Sequence, residues 1–220
     1  MEKLFASISK RYDAMNKIMS LGLDFKWRRH ALKNITMPPN SLILDLACGT
    51  GDFTVELCRK WPHAEIACVD LTPEMISVAR KKLSRYSQNI TFMEGDAQNL
   101  SQIKDRSCSL IVCAFGFRNF PDKAKALSEC YRILDSGGKL VVLELFRPDS
   151  RILGALVDIW LAIVSWIFAG DARSEYKYLR KSVASTLNAN EFVELAEKNR
   201  FRAISSEFFF PAASCVTFSK

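Results

Sequence analysis

Apolar and polar positions follow two different periods along the chain, and the period changes repeatedly. Leu4, Ile8, Tyr12 and Met15 recur at helical spacing with Phe5 beside them, which predicts an amphipathic helix over residues 2–16. Asp24 stands where it would cap a second helix, 25–34, and MPPN (37–40) then breaks the chain. From there short apolar runs alternate with longer amphipathic stretches. The runs SLILDLA (41–47), EIACVDL (65–71), NITFMEGD (89–96), CSLIVCAFG (108–116) and KLVVLELF (139–146) read as strands. Residues 52–61, 73–86 and 122–134 read as the helices between them, the second with proline in its first turn and the third closed by SGG. FRAISSEFFF (201–210) and SCVTFS (214–219) read as a closing pair of strands. Strand–helix alternation through short loops predicts a doubly wound α/β fold with a parallel sheet and right-handed crossovers.

Composition adds a location for charge and removes several chemistries. The 220 residues are 49% hydrophobic and 25% charged, with a net charge of +7. Residues 1–40 hold eight Lys or Arg and three acids, whereas residues 41–150 hold fourteen of each sign. A basic arm on a neutral body points to an anionic partner, with a solvated helix face as the plain alternative. The seven cysteines form no CxxC and follow no secretory leader pattern, so reduced thiols in an intracellular protein are expected. Two histidines, His30 and His63, make no metal-ligand spacing, so no metal is expected. No G-x-S-x-G appears, which argues against a serine hydrolase.

The chemistry concentrates at LDLACGTGDF (44–53), where the first strand hands over to a helix. In open α/β sheets ligands bind there, beyond the carboxyl ends of the strands. The third glycine of a dinucleotide fingerprint is Thr54 here, and Asp52 occupies the first helical turn, where a phosphate would meet repulsion. No Gly-Lys-Ser/Thr follows, so a P-loop is excluded. Acids surround the turn instead: Asp45 before it, Asp70 closing the second strand with Leu71 next to it, and Asp96 closing the third. A carboxylate at Asp70 suits two ribose hydroxyls, and one at Asp96 suits an adenine amino group. Together with Gly49 and Gly51, these acids fit S-adenosylmethionine (SAM), which carries ribose, adenine and a cationic sulfonium.

Longer stretches then become recognisable. KRYDAMNKIMSLGLDFKWRR (10–29), LDLACGTGDFT (44–54), FGFRNFPDKAKAL (115–127) and YRILDSGGKLVVLELFRP (131–148) resemble the signatures of the UbiE-type C-methyltransferases of ubiquinone and menaquinone biosynthesis. The resemblance covers nearly the whole chain. It implies a single class I methyltransferase domain, Rossmann-like, with a seven-stranded mostly parallel sheet and an antiparallel last strand. Its parts would be a helical lid (1–36), a SAM-binding core (41–147), a helical insertion on the substrate side (150–185), and a closing helix and strands (186–220). It also implies that Thr50, Asp70, Asp96 and Ala97 contact SAM, with Ala114 at a position where relatives can carry serine. The implied reaction moves a methyl group to a ring carbon of a reduced polyprenyl quinol. Arg118 and Asn119 are the expected catalytic pair, with Arg118 stabilising a substrate phenolate through a water held by Asn119. Because arginine stays protonated, it is a poor general base. The alternative for Arg118 is an ion pair that holds its loop. Phe5, Tyr12 and Phe117 are the expected substrate contacts.

ILGALVDIWLAIVSWIFA (152–169) is just long enough to span a bilayer but carries Asp158 in its middle. Residues after it must return to complete the sheet, so a pocket for a polyprenyl tail or a seat at the membrane interface is expected rather than a span. With the basic arm, this gives a cytoplasmic protein that touches an anionic membrane surface transiently, on its inner face. No nucleic-acid partner is expected, because no basic–aromatic stripe crosses the core. A homodimer stays open, as does the choice between benzoquinol and naphthoquinol. FFFPAASC (208–215) departs from the family's glycine-rich stretch. Two other readings stand beside the first: a methyltransferase of the same fold with another lipophilic acceptor, and a non-catalytic SAM- or lipid-binding member of a quinone-synthesis assembly.

Overall fold

The computed structural model describes residues 13, 16–17, 20–148, 150, 154–157, 159–160, 162–163, 173–209 and 213–220. Helix α1 spans Asp24–Ala31. Strands β1 (Leu42–Leu46), β2 (Glu65–Asp70) and β3 (Ile90–Glu94) alternate with helices α2 (Asp52–Lys60) and α3 (Pro73–Lys82). Strand β4 (Cys108–Ala114), helix α4 (Lys123–Ile133) and strand β5 (Leu134–Glu144) follow. Helices α5 (Arg173–Ser185) and α6 (Ala189–Lys198) lead to the closing strands β6 (Arg202–Phe209) and β7 (Ala213–Ser219).

The seven strands form one sheet in the order β3-β2-β1-β4-β5-β7-β6. β1 to β5 pair in parallel, and β7 runs antiparallel to both β5 and β6. The expected α/β class with an antiparallel last strand is therefore found. The central strands β1, β4 and β5 are apolar on both faces, as a sheet covered by helices on both sides requires. Successive residues serve opposite layers: Leu44 packs with Val69, Leu127, Phe192 and Phe218, whereas Ile43 packs with Trp27, Phe53, Leu57 and Val141. The edge strands β3 and β6 are only partly buried.

Local expectations need adjustment at several ends. Asp24 does not cap α1; the helix begins with it, and its carboxylate pairs instead with Arg28 one turn on (2.5 Å). Helix α3 stops at Lys82 and passes into a 3-10 segment, Ser84–Asn89. SGG does not separate helix from strand: pairing with β4 already begins at Leu134, and the register then jumps so that Lys139 faces Leu110. Gly137 carries this irregularity at φ 81°. Asp122 and Asn188 do cap α4 and α6, the latter in a reciprocal capping box with Glu191.

Of the predicted helix 2–16, Asp13 and Asn16 are helical, and Phe5, Tyr12 and Met15 lie outside the described residues. Within 152–169, residues 154–157, 159–160 and 162–163 are helical, and Asp158 lies outside the description. Among the described residues no helix is long and apolar enough to cross a membrane.

Candidate functional site

Four parallel strands end on the same side of the sheet, and a cavity of about 240 Å³ opens there. Its walls come from the β1 turn (Leu46, Ala47, Gly49), the end of β2 (Asp70, Leu71), the β3 loop (Asp96, Ala97), the end of β4 (Ala114, Phe115, Gly116) and the loop after it (Asn119, Phe120). Two non-glycine residues on this wall hold positive φ, Ala47 (55°) and Phe115 (60°). Each is the residue where its strand bends into the turn, and such strained backbone concentrates at binding sites. The turns also approach closely. A Cβ on Gly116 would lie 2.7 Å from Cys113 Sγ and 2.8 Å from the Ala47 side chain, so this position tolerates only glycine without movement.

Asp70 is the best-defined acid of the cavity. Gly49 N–H donates to one of its oxygens (2.8 Å) and Thr72 N–H to the other (2.9 Å). Burial pushes its carboxyl above the usual range, against the pull of these bonds. A carboxylate has about four acceptor positions, more than these two bonds use. Asp96 is exposed and accepts from the backbone and side chain of Gln98 (2.9 and 3.0 Å), which leaves acceptor capacity at the cavity mouth. Gly49, Asp70, Leu71, Asp96, Ala97 and Ala114, all expected from the sequence to hold the cofactor, therefore share one cavity.

The other three expected cofactor residues stand apart from it. Asp45 is 1% exposed and accepts from Thr54 Oγ1 (2.6 Å). Burial pushes its carboxyl up to about 7. The Thr50 hydroxyl donates to Asp13 and accepts from Lys82 Nζ (3.1 Å), and Lys82 also bonds Asp52 (2.6 Å). Through Asp13 the N-terminal arm is thereby tied to the Gly-Thr-Gly turn. Gly51 makes the turn itself, at φ 84°, where a Cβ would come 2.7 Å from Leu83 Cδ1. Asp45 and Thr50 border a second, much smaller hollow that shares Ala47, Gly49 and Ala114 with the main cavity.

The loop FGFRN forms a 3-10 turn, Phe117–Asn119, and its three residues have three different surroundings. Phe117 is a correction to the expected substrate contact. Its ring is 1% exposed and packs 4.9 Å from Phe120 and 5.1 Å from Phe192, so it belongs to the core and Phe120 takes the wall. Arg118 meets Glu144: Nη1 donates to Glu144 Oε1 (2.6 Å) and to the Phe115 carbonyl (2.7 Å), and the backbone N–H donates to Glu144 Oε2 (3.0 Å). Both side chains are nearly fully buried, at 6% and 1% exposure. The ion pair weighed from the sequence as an alternative is thus present. Asn119 does reach the cavity. Its Nδ2 lies 3.4 Å from the Phe115 carbonyl, and Tyr178 Oη donates to its Oδ1 (2.9 Å).

Glu144 and Tyr178 escaped the sequence reading. Glu144 had a usable signal, an acid interrupting the apolar run VVLELF, the same signal that marked Asp45. Tyr178 lies in YKYL (176–179), a stretch that also resembles the family, but nothing in the sequence paired it with Asn119, which stands 59 residues away and is reached only through the packing of α5. Among the described residues no group of three or more His, Cys, Asp or Glu could hold a metal ion. All seven cysteines are buried and unbridged.

The chain is similar to several known proteins. The demethylmenaquinone methyltransferase of Thermotoga maritima is 38% identical over 216 residues, covering 96% of this chain and 92% of that protein. The ubiquinone/menaquinone biosynthesis C-methyltransferase UbiE of Geotalea daltonii is 34% identical over 87% of this chain and 83% of its own. Among solved structures, a SAM-dependent methyltransferase of Thermotoga maritima superposes with a TM-score of 0.72 at 20% identity, covering all of both chains. One from Aquifex aeolicus gives 0.67 at 15% identity, over 93% of this chain and 97% of that one. The family described as the ubiE/COQ5 methyltransferase family matches residues 1–218, and the chain belongs to it.

Proposed function

We propose that this enzyme transfers the methyl group of SAM to a ring carbon of a reduced polyprenyl quinol, converting demethylmenaquinol to menaquinol or acting on a methoxy-polyprenyl-benzoquinol. The observation that carries the reading is the cavity itself, with Asp70 and Asp96 at one end and the Asn119 amide at the other, in a chain of this family. SAM supplies an electrophilic methyl on a cationic sulfur. The chain supplies the rest. Asp70 takes the ribose diol, and Asp96 takes the adenine amino group. At the far end the backbone carbonyl of Phe115 can only accept, so it fixes the Asn119 amide with Nδ2 toward it. Oδ1 then faces Tyr178, and the second N–H of Nδ2 is left to donate to a phenolate oxygen. Such a fixed donor stabilises the developing negative charge without reorganisation.

The bonds of Arg118 to Glu144 and Phe115 support a bracing role, holding the turn that presents Asn119. Turnover of Arg118→Ala, with SAM affinity and stability measured separately, tests this. A loss of turnover beyond the loss of folded protein returns the arginine to the chemistry, and near-normal turnover removes it.

The whole chain acts as one domain in this reading, with the arm (1–36) as a lid that brings Phe5 and Tyr12 to the acceptor. The region 150–185 is the substrate side. Leu156, Ile159 and Ile163 are 58%, 56% and 45% exposed at i, i+3, i+7 spacing, which supports contact of this helix face with lipid. The protein is then cytoplasmic, peripheral on the inner face of the membrane, and has no nucleic-acid partner. Co-sedimentation with anionic liposomes at low salt tests the docking; no binding there sinks it. The reaction is tested with labelled SAM and two reduced acceptors, a demethylated naphthoquinol and a methoxy-polyprenyl-benzoquinol. Product on one ring names the substrate. No product on either, with SAM bound, moves the acceptor to another lipophilic molecule or the protein to a binding role.

A further inference from the structure

Among the described residues the main cavity has acids on its walls and no Lys or Arg. SAM, however, ends in an amino acid, and its carboxylate is costly to bury without a counter-charge. Among the described residues the one cation bordering the adjoining small hollow is Arg28, from helix α1. We propose that Arg28 binds the methionyl carboxylate of SAM.

Three observations carry this. Arg28 is only 4% exposed, and its donors are unevenly used: Nη1 is bonded to Asp24 (2.5 Å), whereas the buried Nε has no partner among the described residues. A guanidinium offers five N–H donors in a fixed fork, a shape that matches a carboxylate. The hollow shares Ala47, Gly49 and Ala114 with the cofactor cavity and measures about 20 Å³, room for roughly one water-sized group such as a carboxylate oxygen. The strand order gives the direction. Asp96 and Asp70 fix the adenosine end over β3 and β2, so the methionyl end runs on over β1 and β4, toward Arg28. The guanidinium also lies 5.4 Å from the ring centre of Phe115, a residue of the main cavity wall, which steadies its plane. The competing role for Arg28 is a purely structural ion pair with Asp24.

The proposal rests on the SAM reading of the cavity, and the ligands chosen separate the two. Calorimetric titration compares S-adenosylhomocysteine, its carboxamide, and methylthioadenosine, which lacks the amino-acid end. Wild type is expected to bind the carboxamide about 10- to 100-fold more weakly than the parent acid, the range for a hydrogen bond to a charged group. In the paired variant Asp24→Asn/Arg28→Gln, which strands no charge, S-adenosylhomocysteine is expected to weaken by the same factor and methylthioadenosine to stay within about twofold. Equal binding of acid and carboxamide by wild type would overturn the proposal even if the paired variant does not fold. Equal weakening of all three ligands in a folded variant would also overturn it, in favour of the structural role. Wild type that binds none of the three would overturn the SAM reading along with it.

Discussion

Replacing Glu144 with leucine removes the carboxylate that accepts from the backbone N–H groups of Arg118 and Leu145 and from the Arg118 guanidinium, whose Nη1 keeps only its bond to the neutral Phe115 carbonyl on that side. Arg118 is 6% exposed, so water cannot take over readily. Breaking a buried pair by removing one partner costs about 3–5 kcal/mol. That is a large share of the roughly 5–15 kcal/mol by which a domain is stable. At about 2–4 °C per kcal/mol for a chain of this size, the midpoint should fall by about 6–20 °C. Adding Arg118→Met removes the buried charge but not the two orphaned N–H groups. The double variant should therefore regain at least about 1 kcal/mol over the single one without reaching wild type. Urea unfolding of the four proteins of the cycle gives each term. A single variant that loses less than about 1 kcal/mol, or a double variant less stable than Glu144→Leu, would refute the claim that this pair braces the FGFRN turn.

Burial holds the Asp45 carboxyl at about 7, opposed by the Thr54 bond and the charge of Arg28 and reinforced by Asp70. Because the folded value lies above the unfolded one, the contribution is fully present below about pH 4 and is lost as pH rises toward 7. Wild type should lose on the order of 4 kcal/mol relative to Asp45→Asn across that window, read from urea unfolding at several pH values; parallel pH profiles would contradict it. Gly116→Ala should cost about 1–3 kcal/mol and weaken S-adenosylhomocysteine binding, since the new methyl meets Cys113 and Ala47 below 3 Å; an unchanged midpoint and affinity would show that the β1–β4 turns yield. Tyr178→Phe leaves the Asn119 amide held only by its 3.4 Å contact with the Phe115 carbonyl, and turnover should drop about 5- to 10-fold with SAM affinity unchanged, in steady-state kinetics paired with calorimetry. Equal loss of both, or of neither, would remove Tyr178 from that role.

The elements and their order were legible because each strand–helix exchange changes the period of apolar positions. Asp70 and Asp96 were legible for a related reason. An acid at the carboxyl end of a parallel strand faces the ligand crevice wherever the strand lies in the sheet. The same rule misplaces Asp45: it stands inside β1 rather than at its end, and Thr54 encloses it. Phe117 shows another limit. Neighbouring residues of a 3-10 turn point in different directions, so a motif that reaches the cavity through Asn119 sends its phenylalanine into the core. Asp24 looked like a cap because Asp is common there, but Arg28 one turn later offered it a stronger partner. The pairs that shape the site, Arg118 with Glu144 and Asn119 with Tyr178, join residues 26 and 59 positions apart. No periodicity encodes such contacts; the sheet register and the docking of α5 create them.

The most direct test of the central claim uses SAM carrying a carbon-13 methyl group and the acceptor in both oxidation states. Magnetic resonance of the product distinguishes a methyl on an aromatic carbon from one on oxygen. The account predicts label on a ring carbon with the quinol and none with the quinone, because only the reduced ring has a phenolate for Asn119 to hold. Label on oxygen, or equal labelling of quinone and quinol, would contradict it.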